Sequence, residues 1–112
     1  MAGTADDAKL MVQLAQWGAT MGLEDASGVI FEDNFDPEMA TANDNAVRRV
    51  LYFNETIGTL VKNDLLDRDL VLDWLWVAGA WDRVGPAALK ARERFGPALY
   101  ENFEALAKSQ TG

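Results

Sequence analysis

The stretch LLDRDLVLDWLWVAGAWDRV, residues 65–84, decides the fold of this chain. Between Leu70 and Trp81 only Asp73 is polar, and three of the four tryptophans of the chain fall there. A helix this apolar cannot expose a broad face to water. It must therefore be the central element of the fold, an interface for another copy or a partner, or both.

A helical projection of this stretch gives two apolar faces and one polar sector. One face holds Leu70, Trp74, Val77, Trp81 and Val84. The second face holds Val71, Leu72, Leu75, Ala78 and Gly79. Trp76 falls in the polar sector, where Asp69, Asp73 and Arg83 are its neighbours. The projection predicts a helix that packs on two sides, and it leaves Trp76 as an aromatic residue among polar ones.

Helical periodicity continues on the N-terminal side of this stretch. Thr4 can cap a first helix over about residues 4–20, because its hydroxyl can accept from an unpaired backbone N–H group. The pattern from Asp44 predicts an amphipathic helix of about five turns. Residues 23–43 mix a short apolar run with turn formers, so a short helix and an irregular connection both fit.

Caps and breaks divide the C-terminal side into further helices. Asp67 is a good N-cap for the Trp-rich helix. Proline fits the first turn of a helix, so Pro86 and Pro97, each preceded by glycine, predict a break or kink followed by a new helix.

The elements together predict an all-α fold. No segment shows the sustained period-2 alternation of a β-strand, and a chain of 112 residues forms one domain around a single core. We predict a single helical domain over residues 1–112, in the form of a small four- to six-helix bundle with the Trp-rich helix at its centre.

Composition excludes most catalytic mechanisms. The chain has no cysteine and no histidine, which removes thiolate chemistry, the commonest metal ligand and the commonest general base. No glycine-rich phosphate loop and no nucleophile elbow is present. We therefore expect a protein that is not an enzyme and has no cofactor.

Charge is concentrated in one part of the chain, whose formal net charge is −8. Residues 1–47 hold nine acids against Lys9 alone, whereas the remaining 65 residues hold nine acids and nine bases. Nucleic-acid binding draws on clustered lysine and arginine, so no nucleic-acid partner is expected. The acids either keep a small domain soluble or attract a basic protein.

The chain has no stretch long enough to span a membrane as a helix. Its longest apolar run, about twelve residues and interrupted by Asp73, is shorter than the roughly 20 that a bilayer needs. The first residues, MAGTADDAKL, lack the basic leader and apolar run of a secretory signal. These features predict a cytoplasmic protein with no membrane contact.

An acidic cluster over residues 32–38 suggests calcium, because hard cations prefer several oxygen ligands. The spacing argues against this site. Counted from Asp33, the EF-hand positions for an oxygen ligand and for glycine hold Phe35 and Glu38, and no glutamate stands at the twelfth position. No metal ligand is therefore predicted.

Residues 47–107 carry a family resemblance. It rests on Leu51-Tyr52-Phe53-Asn54-Glu55, Ile57, Leu60-Val61, Leu65-Leu66-Asp67, Asp69-Leu70-Val71, Trp81, Arg92, Tyr100-Glu101-Asn102-Phe103-Glu104 and Leu106. In these residues the chain resembles a bacterial family, the domain of unknown function numbered 4760. The resemblance implies a small helical domain and no catalytic assignment. Members of that family often have a membrane-spanning segment ahead of this region, and this chain departs from that pattern.

Several polar residues lie close to the apolar stripes of their helices. We predict that they form a structural polar network that satisfies charges near the core, the alternative being a small polar site. The predicted network consists of Asn54, Glu55, Asp73, Arg92 and Glu104. Asp73 is expected to pair with an arginine, for which Arg48, Arg49 and Arg92 are the candidates; a functional acid of raised pKa is the other interpretation.

The excess of apolar surface and the acidity of the N-terminal part lead to one hypothesis about function each. The first is a helical protein–protein interaction module or small assembly subunit, which binds a protein partner or a second copy to form a homodimer. Its interface candidates are Trp76, Leu72, Leu75 and Trp17. The second is an acidic inhibitor, whose first 47 residues mimic a polyanion and bind a basic surface of a partner.

Overall fold

A computed structural model describes residues 3–111 of the chain, and this part folds into six helices with no strand. They are α1 (Ala5–Met21), α2 (Leu23–Ile30), α3 (Asn45–Lys62), α4 (Arg68–Trp74), α5 (Val77–Phe95) and α6 (Glu101–Thr111). The predicted all-α bundle is therefore confirmed. In this described part no helix is both long enough and apolar enough to cross a bilayer.

Local sequence signals fix both ends of α1. The Thr4 hydroxyl accepts from the Asp7 backbone N–H, and the Asp7 carboxylate accepts from the Thr4 backbone N–H, which is a capping box. At the other end Gly22 has φ 78°, a left-handed conformation that glycine adopts without steric cost. The predicted helix over about residues 4–20 is confirmed.

The ambiguous segment, residues 23–43, contains both of the structures that its sequence allowed. Its first part is helix α2, and the remainder is a series of turns. Carboxylates close these turns locally: Asp36 accepts from the Glu38 backbone N–H, and Asp44 accepts from the backbone N–H and the hydroxyl of Thr41.

The second half of the Trp-rich stretch lies in α5, which packs against α2, α3 and α6 and so has the expected central position. It shares that position with helix α3. Helix α3 packs against α2, α5 and α6 and buries Val47, Val50, Leu51, Phe53, Asn54, Ile57 and Gly58. A Cβ placed on Gly58 would lie 2.5 Å from the Asn102 backbone oxygen, so α3 and α6 touch at backbone distance. The prediction of about five turns from Asp44 is confirmed.

The Trp-rich stretch is two helices, which corrects the prediction of a continuous one. Helix α4 ends at Trp74, Leu75 is extended with φ −118° and ψ 139°, and α5 begins at Val77. The Asp67 carboxylate accepts from the Leu70 backbone N–H, so the predicted N-cap of α4 is confirmed. Because the chain changes direction at residues 75–76, the two apolar faces do not lie on one helix.

The break predicted at Gly96 and Pro97 is confirmed, although the last helix begins four residues after the predicted start at Pro97, whereas the break or kink predicted at Pro86 does not end the helix. Helix α5 runs through Gly85 and Pro86 without ending. A proline inside a helix costs a backbone hydrogen bond, but Val84, Ala87 and Ala88 are buried on both sides of it, and their packing holds the helix together. Helix α6 begins at Glu101, and residues 97–100 form a turn that ends with Tyr100 at φ 59°.

Candidate functional site

Trp76 is the most exposed tryptophan, with 67% of its surface accessible. Its ring stacks on that of Phe31, with centroids 5.6 Å apart and planes 10° from parallel. Phe31 is itself 41% exposed. Two large aromatic side chains from distant parts of the sequence thus form one exposed surface. Large exposed aromatic surfaces are costly in water and are enriched at binding sites.

The position of Trp76 depends on the break between α4 and α5, and Gln110 of helix α6 holds that break. The Gln110 Nε2 group donates to the backbone oxygens of Leu72 at 3.2 Å and Leu75 at 3.0 Å. Its Oε1 atom accepts from the Ala78 backbone N–H at 2.8 Å. One side chain thereby satisfies the end of one helix and the start of the next.

Glycine 79 supplies the surface on which the indole of Trp76 lies. A Cβ at Gly79 would collide with the six-membered ring of that indole, so the absence of a side chain is what lets the ring pack against α5. Gly79 is buried as a result.

Arg83 of α5 fixes the turn that carries Phe31. Its Nε atom donates to the Ile30 backbone oxygen at 2.6 Å, and its Nη2 atom donates to the backbone oxygens of Glu32 at 2.9 Å and Phe35 at 3.3 Å. The guanidinium also lies 5.1 Å from the centre of the Phe35 ring. The end of α2 and the following turn are therefore anchored to α5.

These residues line a shallow depression of about 440 Å³, which we call the Trp76 groove. It is formed by Phe31, Glu32, Asp33, Trp76, Gly79, Asp82 and Arg83. Glu32, Asp33 and Asp82 are exposed, and within residues 3–111 their carboxylates form no hydrogen bond or ion pair. The one base in the lining is Arg83, whose Nε and Nη2 atoms donate to backbone oxygens, so the three carboxylates outnumber it. The groove is aromatic and negatively charged.

The other predicted interface residues lie elsewhere. Leu72 and Leu75 are half-buried and pack against the core. Trp17 is also half-buried, and its ring neighbours are Phe53 at 5.3 Å and Tyr52 at 6.4 Å. The second apolar face is thus covered by the chain itself, which corrects the expectation that Leu72 and Leu75 present it to a partner. Trp76 alone of the four candidates is exposed.

Glu55, from the predicted polar network, holds the start of helix α6. Its Oε1 atom accepts from the backbone N–H groups of Asn102 at 3.0 Å and Phe103 at 2.9 Å, and its Oε2 atom accepts from the Asn102 amide at 2.9 Å. A carboxylate suits the positive end of a helix dipole. Burial, and after it the Glu55 charge, raises the pKa of the adjacent Tyr100.

Arg92 and Glu104 form a second junction with α6. Arg92 Nη1 lies 2.9 Å from Glu104 Oε1, and Arg92 Nε donates to the Leu99 backbone oxygen at 2.8 Å. Lys108 Nζ lies 3.0 Å from Glu104 Oε2. The hydrogen bond from Lys108 lowers the pKa of Glu104, burial opposes that shift, and Arg92 lowers the pKa further. Residues that carry the family resemblance therefore fasten α6 to α3 and α5.

The remaining two members of the predicted network do not join it. Asn54 is buried, but its amide donates to the Val50 backbone oxygen of its own helix at 3.0 Å. Asp73 is exposed, and its carboxylate forms no hydrogen bond or ion pair with any residue in the described part of the chain. The expected pairing of Asp73 with an arginine is a wrong prediction, because α4 ends one residue later and directs this position to solvent.

Sequence reasoning missed Phe31, Gln110 and the carboxylates of the Trp76 groove. The helical projection did place Arg83 in the same sector as Trp76, and both line the groove. No sequence signal pairs Gln110 with residues 32 to 38 positions away. Across residues 3–111 no three acidic side chains come together as a metal site.

Comparison with known proteins gives one match. The model of the family described as "Domain of unknown function (DUF4760)" matches residues 3–110, a longer span than the predicted 47–107. No protein with a curated description and no solved structure matches the chain.

Proposed function

This chain belongs to the family Domain of unknown function (DUF4760), and on that premise we propose that it is a non-enzymatic interaction module that binds another protein through the Trp76 groove. The observation that carries the proposal is the exposed stacked pair of Trp76 and Phe31. Tryptophan is among the residues that contribute most to binding energy at protein interfaces.

The aromatic pair is held in place before any partner arrives. Trp76 rests on Gly79 and its backbone is fixed through Gln110, while Arg83 anchors the turn of Phe31. Binding therefore costs little side-chain entropy, since the rings are already ordered. This distinguishes Trp76 from Phe95, which is 69% exposed at the end of α5 and contacts the adjacent Arg94.

The acidic inhibitor is the second candidate function. In its favour, Glu32 and Asp33 are exposed beside the aromatic pair. Against it, Asp7, Asp36 and Asp44 accept local hydrogen bonds, so part of the N-terminal acidity forms caps and turns. A polyanion mimic predicts binding that weakens steeply with salt and does not require Trp76.

Photo-crosslinking tests the proposal. The photoreactive residue p-benzoylphenylalanine is placed at Trp76 in one variant and at Phe95, equally exposed, in the control. Irradiation in cells, where we expect the partner in the cytoplasm, should give a discrete adduct from position 76 and none from position 95.

The mass of the adduct identifies the kind of partner. An adduct of twice the chain mass supports a homodimer, and any other discrete mass supports a different protein. Equal adduct patterns from the two positions would refute the Trp76 groove as the binding surface. Capture that occurs equally at both positions, and that disappears in high salt when irradiation is repeated in cell lysate, supports the acidic inhibitor instead.

A further inference from the structure

We infer that the ligand of the Trp76 groove is a basic segment of a different protein, whose arginine or lysine side chain lies against Trp76 and pairs with the carboxylates around it. This inference rests on the proposed function and specifies the partner. Three observations support it: the negative charge of the groove, the aromatic surface between the carboxylates, and the poor fit of a second copy.

The three carboxylates of the groove are available to a ligand. Many other acids of the described chain have structural partners: Asp7, Asp36, Asp44, Glu55, Asp67 and Glu104 all accept hydrogen bonds or form ion pairs. Glu32, Asp33 and Asp82 have none, and they stand around one exposed indole. Opposite charge in the ligand would be attracted by all three at once.

The aromatic surface favours the same ligand. The face of a tryptophan attracts cations more strongly than that of any other side chain. A guanidinium also stacks on aromatic rings and binds carboxylates with two parallel hydrogen bonds. Arginine therefore fits the groove best, and lysine fits it as a point charge.

A second copy of this chain fits the groove poorly. In a two-fold symmetric contact the same patch meets itself, so Glu32, Asp33 and Asp82 of each copy would face one another, and like charges in contact oppose binding. The whole chain also carries a formal net charge of −8. Nucleic acid is disfavoured by the same charge.

The test is an NMR titration that follows the indole N–H signal of Trp76, assigned by its loss in Trp76→Phe. The probe is an acetylated hexapeptide amide of alternating glycine and arginine. Its control has citrulline in place of arginine, which keeps the shape and removes the charge. We expect saturable shifts at Trp76 and at residues 31–33 with the arginine peptide, and none with citrulline.

Matched charge variants separate local pairing from general attraction. The groove variant carries Glu32→Gln, Asp33→Asn and Asp82→Asn. The control carries Asp6→Asn, Glu93→Gln and Glu101→Gln, exposed acids outside the groove that change the net charge by the same amount. We expect about tenfold weaker binding for the groove variant, because it loses three exposed ion pairs with the peptide, and a change of less than about twofold for the control.

Equal weakening in both variants, or equal binding of the citrulline peptide, would overturn the inference. The two proposals fail in different ways. If photo-crosslinking at position 76 captures a partner but the arginine peptide does not move the Trp76 signal, the interaction function stands and the basic ligand is refuted. If position 76 captures nothing beyond position 95, the proposed function falls and this inference falls with it.

Discussion

Replacing Gln110 with alanine tests the account of the α4–α5 break. The substitution removes three hydrogen bonds, to Ala78 N, Leu72 O and Leu75 O. Each of these bonds contributes about 0.5–1.5 kcal/mol to the free energy of unfolding. The higher helix propensity of alanine offsets about 0.4 kcal/mol of the loss. We expect Gln110→Ala to lower the free energy of unfolding by about 2 kcal/mol, which corresponds to a fall of about 8 °C in Tm for a domain of this size.

The assay is urea and thermal unfolding followed by circular dichroism, combined with hydrogen exchange at the Ala78 amide. That amide should exchange faster in Gln110→Ala, because its acceptor is lost. Gln13→Ala is the matched control, since Gln13 is an exposed helical glutamine, and its effect should stay within about 0.5 kcal/mol. Gln110→Glu should protect Ala78 but still lose the two donated bonds. If Gln110→Ala unfolds like Gln13→Ala and Ala78 exchanges at the wild-type rate, Gln110 does not hold the break.

Three further predictions concern the attachment of α6. Gly58→Ala should destabilise the protein by about 2–3 kcal/mol in urea unfolding, because the added Cβ would meet the Asn102 backbone oxygen. The control Gly28→Ala should stabilise it by about 0.5–1 kcal/mol, because Gly28 is helical with open space around it. Destabilisation of similar size in both variants would contradict the close approach of α3 and α6. Glu55→Ala should lower the free energy of unfolding by about 2–3 kcal/mol, and Glu55→Gln should lower it less, because glutamine keeps an acceptor for the Asn102 and Phe103 N–H groups. Equal losses in urea unfolding would show that these two hydrogen bonds do not contribute to stability. The folded-state pKa of Glu104 lies below its usual value of 4.5, so its contribution to folding stability is present above that value and is lost as the pH falls through the folded pKa. On acidification, Tm should therefore drop more in the wild type than in Glu104→Gln. Equal drops in both proteins would refute this prediction.

Elements with local signals could be predicted from the sequence. The caps at Thr4 and Asp67 depend on side chains within three residues of the N–H groups that they satisfy. Helix α3 has a clear amphipathic stripe, which its buried residues reproduce. Fold class and these helix starts therefore follow from short-range physics.

The break at Leu75 and Trp76 could not be predicted in this way. Nothing in the local sequence interrupts the helical pattern there, since no glycine or proline is present between residues 70 and 78. The break exists because Gln110, far along the chain, supplies the missing hydrogen bonds. At Pro86 the prediction failed in the opposite sense, because a break was expected and the helix continues. The packing of its buried neighbours on both sides outweighs the local effect of the proline.

Among the aromatic and interface residues of the candidate site, only Trp76 was correctly predicted from the sequence. Trp76 stood out because the projection gave it polar neighbours, and it is exposed as that suggested. Its partner Phe31 lies 45 positions earlier in a segment whose structure the sequence left open. The projection assumed a straight helix, and for that reason it assigned Leu72 and Leu75 to the interface although they pack inward.

The attachment of α6 also sets an order for folding. Glu55 bonds residues 47 and 48 positions ahead of it, and Gln110 bonds residues 32 to 38 positions behind it. We expect contacts so distant in sequence to form late in folding, because closing a long loop costs chain entropy before the contact can stabilise the structure. On the ribosome, residues 65–84 emerge before Gln110 and carry an uninterrupted helical pattern. We therefore expect Trp76 to reach its final position only after residue 110 is made, so that the Trp76 groove is absent from a partly synthesised chain.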